Sequence, residues 1–204
     1  MSDQLDFSGF DGAGMGPVEW AHKYAGSNFN VFFALAPEPA MAMEVAAYAA
    51  QWDRQHGIGG KLRLAKHLHV SLRPLGAFST VPTEALDFAQ RVGDAVSASA
   101  FELVFDRALS FRTKEPTYVL LPGEGAEQTR SLWQALGIAI ANADGSSKKT
   151  PFTPHMTLSY GGKPVAEHLV EPIRWQVRDF VLINSHQGKS FYETLGRWPL
   201  DNCG

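Results

Sequence analysis

The chain has 204 residues, 45% of them hydrophobic, which is enough to bury a core as one domain or two tightly joined lobes and excludes a disordered or fibrous protein. Lys and Arg number 18 against 21 Asp and Glu, a formal charge of −3, so no overall positive field holds long nucleic acid non-specifically. The single cysteine, Cys203, excludes an intrachain disulfide and a cysteine-rich metal site, and it fits a reducing compartment. No basic segment followed by an apolar run opens the sequence, and no apolar stretch is long enough for a bilayer. A soluble, cytoplasmic, monomeric protein with no membrane partner is expected.

Residues 1–27 are rich in Gly, Asp and Ser, with scattered Phe10, Trp20 and Tyr24, and they show no periodicity; they read as an irregular arm before a single bilobal domain over residues 28–204. Residues 28–35 are aromatic and branched, then broken by Pro37 and Pro39, as at the end of a buried strand. Residues 40–55 have helical composition and spacing, closed by Gly57, Gly59 and Gly60. A brief extension over 61–64 leads to a strand over 68–75, closed by Gly76. A second helix is expected over 83–98 with Thr83 as its N-cap, then strands over 101–111 and 117–121 joined by a hairpin around Lys114-Glu115-Pro116. A third helix over 126–143 carries Leu132, Trp133, Leu136 and Ile140 on one face. A polar loop over 143–149 precedes a strand over 155–160, and strands over 174–184 and 190–200 form a closing hairpin. Strands and helices are interspersed without strict alternation, so the class is α+β with mainly antiparallel sheet.

One short element occurs twice, as His69-Val70-Ser71-Leu72 and His155-Met156-Thr157-Leu158. Side chains alternate along a strand, so each copy places an imidazole and a hydroxyl on one face and anchors them by apolar residues on the other. Substitution at phosphorus needs one group to remove a proton and another to supply one on the far side. Two imidazoles do both jobs, because a pKa of about 6.5 lets one ring be neutral while the other is protonated. Ser71 and Thr157 then donate hydrogen bonds to the non-bridging oxygens. A lone His-x-Ser means little, but two copies in two expected strands point to one phosphate-ester site.

The sequence resembles the 2H phosphoesterases, and within them the 2′-5′ RNA ligase (LigT-like) RNA 2′,3′-cyclic phosphodiesterases. The resemblance spans residues 28–200. It rests on the opening Asn30-Val31-Phe32-Phe33-Ala34-Leu35-Ala36-Pro37, on residues 66–76 and 152–158 around the two motifs, and on Trp175, Ser185, Tyr192 and Trp198-Pro199-Leu200. It implies two pseudo-symmetric lobes with helices packed outside, an active-site groove between them, no cofactor and no required metal. It implies opening of RNA or nucleotide 2′,3′-cyclic phosphates to 2′-phosphates, with 2′-5′ ligation in some members. By the same resemblance His155 activates water and His69 protonates the departing 3′ oxygen, although the near symmetry of the motifs leaves the reverse equally open. Relatives often continue Leu-Ala-Arg after the second motif, whereas this chain has Leu158-Ser159-Tyr160, so a phosphate-binding arginine is missing and Tyr160 replaces it in part.

Arg73 follows Ser71 by two and is expected on the same face, within reach of phosphate; Tyr192 is a further candidate for substrate contact. Lys148 and Lys149 lie in a polar loop before the second motif, where they meet either solvent or an RNA backbone. His67 and His69, two apart, would permit a metal pair, but no acidic or cysteine cluster completes it, so His67 reads as a groove-edge or solvent residue. His22, His56, His168 and His186 have no partner pattern and read as surface residues. Two alternatives stay open: a relative acting on another small cyclic phosphate or on 2′-5′ oligonucleotides, and a module that binds RNA ends or nucleotides without turnover.

Overall fold

The computed structural model describes residues 23–145 and 151–201. Phe10, Trp20, His22, Lys148, Lys149 and Cys203 lie outside them. Nine strands are described: β1 Ala25–Leu35, β2 Lys61–Leu62, β3 Val70–Phe78, β4 Phe101–Phe111, β5 Thr117–Pro122, β6 Met156–Tyr160, β7 His168–Val177, β8 Asp179–His186 and β9 Phe191–Pro199. Three helices accompany them, α1 Pro39–His56, α2 Thr83–Asp94 and α3 Ala126–Asp144, together with a 3-10 turn over Ala65–His67. None of these helices is long and apolar enough to cross a membrane.

The strands form one antiparallel sheet in the order β7-β4-β5-β6-β3-β1-β8-β9, with β2 paired to β6 off that path. It divides into two four-stranded halves, β7-β4-β5-β6 and β3-β1-β8-β9, each with a motif strand innermost. The same unit builds both motifs: β1-α1-β3 in one half and β5-α3-β6 in the other, with incoming and motif strands paired side by side. Between the named strands the halves join through one residue pair, Val70 with Met156, with an isolated bridge from Ser99 to Asp201 beyond the strand ends. So short a ladder cannot hold two lobes alone. The helices reinforce it by crossing over, since α1 packs behind β6 and α3 behind β3.

The main core lies between the sheet and the helices, where Phe33, Val70, Leu72, Leu103, Phe105, Leu136, Met156 and Phe180 are buried. A second, smaller apolar cluster, Phe32, Ala34, Val181 and Ile183, occupies the opposite face of the β3-β1-β8-β9 half and continues into Tyr192. Alternation along β1 is the cause, since Phe33 faces one side and Phe32 and Ala34 the other. Helix α1 ends at Gly57, whose φ of 57° is the left-handed conformation that favours glycine, with its N–H donating to the Asp53 carbonyl at 2.8 Å.

Several expected elements differ in detail. β1 begins at Ala25, so the last residues assigned to the irregular arm are already in the sheet. Thr83 does not cap α2: Pro82 holds the cap position, Thr83 is the first helical residue, and the helix stops at Asp94. The single strand expected over 174–184 is two strands meeting at Arg178. β7 pairs with β4 at one edge, while β8 lies between β1 and β9. Its trace in the sequence is a change of pattern, from alternating Ile173, Trp175 and Val177 on a one-faced edge strand to the unbroken run Phe180-Val181-Leu182-Ile183, buried on both faces.

Candidate active site

β3 and β6 begin at Val70 and Met156, so His69 and His155 each stand one residue before a strand rather than inside it. The two buried residues Val70 and Met156 face the core as an antiparallel pair. Their neighbours His69, Ser71, His155 and Thr157 are therefore turned to the opposite face, all of them partly exposed, around one strand junction. The local pseudo-twofold runs through the Val70–Met156 pair and relates one His-x-hydroxyl element to the other.

The rings are held alike. Nδ1 of His69 donates to the carbonyl of His67 at 2.8 Å, and Nδ1 of His155 donates to the carbonyl of Thr153 at 2.8 Å. A carbonyl oxygen only accepts, so each Nδ1 carries the hydrogen and each neutral ring keeps Nε2 as a proton acceptor. An aromatic ring backs each imidazole: Phe32 at 5.1 Å from His69, and Phe111 edge-on at 5.0 Å from His155. The hydroxyls differ, for Ser71 donates to Nε2 of His69 at 3.1 Å. Among the described residues, Thr157 makes no such bond.

Burial, the positive charge of Arg63 and the neighbouring imidazoles push the His69 pKa down to about 3, against the lesser opposing effect of its bond to the His67 carbonyl. Burial also lowers that of His155, with the Thr153 carbonyl opposing it. Both rings are accordingly neutral in the free protein at neutral pH. A proton on His155 would weigh against one on His69, so the two imidazoles are electrostatically coupled. No carboxylate contributes to either shift.

A pair of matching β-bulges follows the motifs. Ala34 pairs with Ser71 but Phe33 with Arg73, and Val119 pairs with Thr157 but Tyr118 with Ser159. Leu72 and Leu158 are the extra residues, so the residue after each leucine joins it on the core face. Arg73 therefore does not share the face of His69 and Ser71, as simple alternation predicted. Its guanidinium carbon lies 3.3 Å from the centre of the Trp133 ring, its Nε donates to the Trp133 carbonyl at 3.0 Å, and Trp133 stacks in turn on Phe152. Burial lowers its pKa to about 10. Arg73→Ala is expected to reduce unfolding free energy by about 2 kcal/mol, from the lost cation–π contact and packing, read as a lower denaturant midpoint.

The same bulge returns Tyr160 to the face of Thr157. Tyr192 reaches that face from β9, its ring 5.7 Å from His69 and 4.5 Å from His67. His67 is not in solvent, being only 5% exposed within the 3-10 turn. His168 and His186 are also more than surface residues: His168 stacks flat on Trp52 at 4.0 Å, and His186 packs edge-on to Phe29 and Phe191. Among the described residues, no three His, Cys, Asp or Glu side chains are grouped to hold a metal ion.

Arg63 is a residue of this site that sequence patterns do not reveal. β2 pairs Lys61 with Tyr160 and Leu62 with Ser159, and the Arg63 N–H donates to the Leu158 carbonyl at 2.8 Å. Its side chain then lies between Tyr160 and Tyr192, the guanidinium carbon 5.6 and 5.7 Å from their ring centres. Two residues of strand carry no periodicity, so nothing local in the sequence announces this pairing.

Two half-sheets related by a pseudo-twofold, with paired His-x-Ser/Thr elements at their junction, are the architecture of the 2H phosphoesterases. The model of the 2′-5′ RNA ligase superfamily matches residues 37–189, and the chain belongs to that family. Among solved structures, E. coli LigT in its apo form is similar at 22% identity and a TM-score of 0.66, over 86% of this chain and 99% of that one. TT0787 of Thermus thermophilus is similar at 20% identity and a TM-score of 0.68, over 86% and 100%. E. coli LigT complexed with 3′-AMP is similar at 22% identity and a TM-score of 0.65, over 84% and 98%. Likeness at this identity concerns the fold. No curated protein matches the chain in sequence.

Proposed function

We propose that this protein is a phosphodiesterase that hydrolyses the 2′,3′-cyclic phosphates of RNA ends or nucleotides to 2′-phosphates, with His69 and His155 as general base and general acid. The observation that carries this reading is the pair of imidazoles at one strand junction, each held through Nδ1 by the carbonyl two residues before it, so that Nε2 serves as the working nitrogen. Membership of the family and the phosphate and 3′-AMP complexes of E. coli LigT support the substrate class.

In the reaction the base takes a proton from water as its oxygen bonds to phosphorus. The bond from phosphorus to the 3′ oxygen breaks in line, and the acid protonates that oxygen, leaving a 2′-phosphate and a 3′-hydroxyl. Arg63 bears on His69 and is not among the influences on His155, so a proton is less welcome on His69. That favours His69 as base and His155 as acid, the reverse of the order the resemblance implies. Ser71 and Thr157 donate to the non-bridging oxygens, Ser71 exchanging its bond to His69 for one to phosphate. Tyr160 and Tyr192 offer faces against which a nucleobase stacks. A 5′-hydroxyl in the place of water would form a 2′-5′ linkage by the same proton transfers.

Incubation of the purified protein with 2′,3′-cyclic AMP and 2′,3′-cyclic CMP in EDTA should yield the 2′-phosphates. Absence of turnover, while a 2′-5′ oligonucleotide or another cyclic phosphate is cleaved, would replace the proposed substrate. Tight binding without any product would replace the enzymatic reading itself.

A further inference from the structure

We infer that Arg63 is the phosphate anchor of the candidate active site, a role no motif in the sequence assigns to it; the inference rests on the two-histidine reading above. The backbone of Arg63 is tied to β6 through the Leu158 carbonyl, while its side chain reaches Tyr192 and His67 of the other half. It thus spans the junction at which the two imidazoles meet. One terminal nitrogen, Nη2, donates to the Tyr192 hydroxyl at 2.6 Å and approaches the His67 carbonyl at 3.5 Å. Among the described residues, Nε and Nη1 have no hydrogen-bond partner, which leaves N–H donors on a charged, planar group for the oxygens of a phosphate.

Other arginines of the chain show what this one lacks. Arg107 lies against Asp106 and Glu167, Arg130 against Glu127, Arg174 against Glu102, and Arg197 against Asp179. Arg63 has no carboxylate partner among the described residues. It is instead flanked by two tyrosine rings and lies near His67 and His69, so an anion entering the site meets a fixed positive charge with no carboxylate beside it. A residue needed only to brace Tyr192 would require one donor, and a lysine or glutamine would serve.

The test compares wild type, Arg63→Gln and Arg63→Lys by calorimetric titration with inorganic phosphate and with adenosine, alongside turnover of 2′,3′-cyclic AMP. Arg63→Gln should weaken phosphate binding at least tenfold and leave adenosine binding unchanged; Arg63→Lys, which keeps the charge but not the planar array of donors, should fall between. In turnover the loss should appear mainly in KM, as for uniform binding of ground and transition states. Phosphate binding unchanged in Arg63→Gln would overturn the inference, and so would equal losses for phosphate and adenosine, which mark a brace. No phosphate binding by wild type would overturn it too. If wild type lacks turnover yet binds phosphate in an Arg63-dependent way, the anchor stands and the proposed reaction falls. If wild type turns over and Arg63→Gln keeps its KM, the reaction stands and the anchor falls.

Discussion

Replacement of either His69 or His155 by alanine should lower kcat/KM for a 2′,3′-cyclic nucleotide by about 10³-fold or more, the effect of removing a positioned proton donor or acceptor. Because the two act as one relay, the double variant should lose little beyond the worse single one. The pH dependence follows from the direction of the shifts. Burial holds both rings neutral below their ordinary pKa of about 6.5, so a neutral base is abundant at pH 7 while the protonated acid is the scarce form. Lowering the pH raises the protonated acid, and His69, at about 3, stays neutral throughout. Accordingly kcat/KM should rise from pH 8 towards pH 6 and lower, and fall only near the pKa of the base. A leaving group better than the ribose 3′ oxygen, such as p-nitrophenol, should restore turnover to the variant lacking the acid and not to the one lacking the base. Rescue of His69→Ala in place of His155→Ala would reverse the roles assigned above. Full turnover by either alanine variant would end the two-histidine mechanism.

The second large effect concerns the hydroxyls. Ser71→Ala combined with Thr157→Val, which keeps the branched shape, should reduce kcat by about 10²- to 10³-fold, the range for lost donors to a developing oxyanion. The single changes should differ from each other. Ser71 bonds to Nε2 of His69 whereas Thr157 has no bond to His155 among the described residues, so Ser71→Ala also removes a constraint on the base, and Thr157→Val removes a phosphate donor alone. Single-turnover measurement of the chemical step separates the two contributions. A double variant within a few-fold of wild type would remove the hydroxyls from the mechanism, leaving charge on phosphorus to be met by other donors.

What was readable in the sequence was carried by repetition over enough residues to resist noise. The strand over 101–111 and the first and third helices are long elements whose composition or period is sustained over many positions, and the structure has them close to the expected bounds. The paired His-x-Ser/Thr elements stood out because the same four-residue pattern recurs, and alternation was sufficient to put each imidazole and hydroxyl on one side.

Other features depended on contacts between distant segments, which leave no local trace. One extra residue in each motif strand moves Arg73 to the core face, where Trp133 of α3 is there to receive its guanidinium. Alternation counts residues and cannot see a bulge. Position 160 holds a tyrosine where the resemblance led one to expect an arginine, yet a guanidinium lies beside that ring, delivered from residue 63 by two residues of β2. The element types, the α+β class and the four groups of the two motifs were thus legible in the order of the residues, since they follow from residue type and short-range period. Which charges stand beside those four groups was settled by folding, because it turns on strand register and on the Val70–Met156 pair that brings the two halves together.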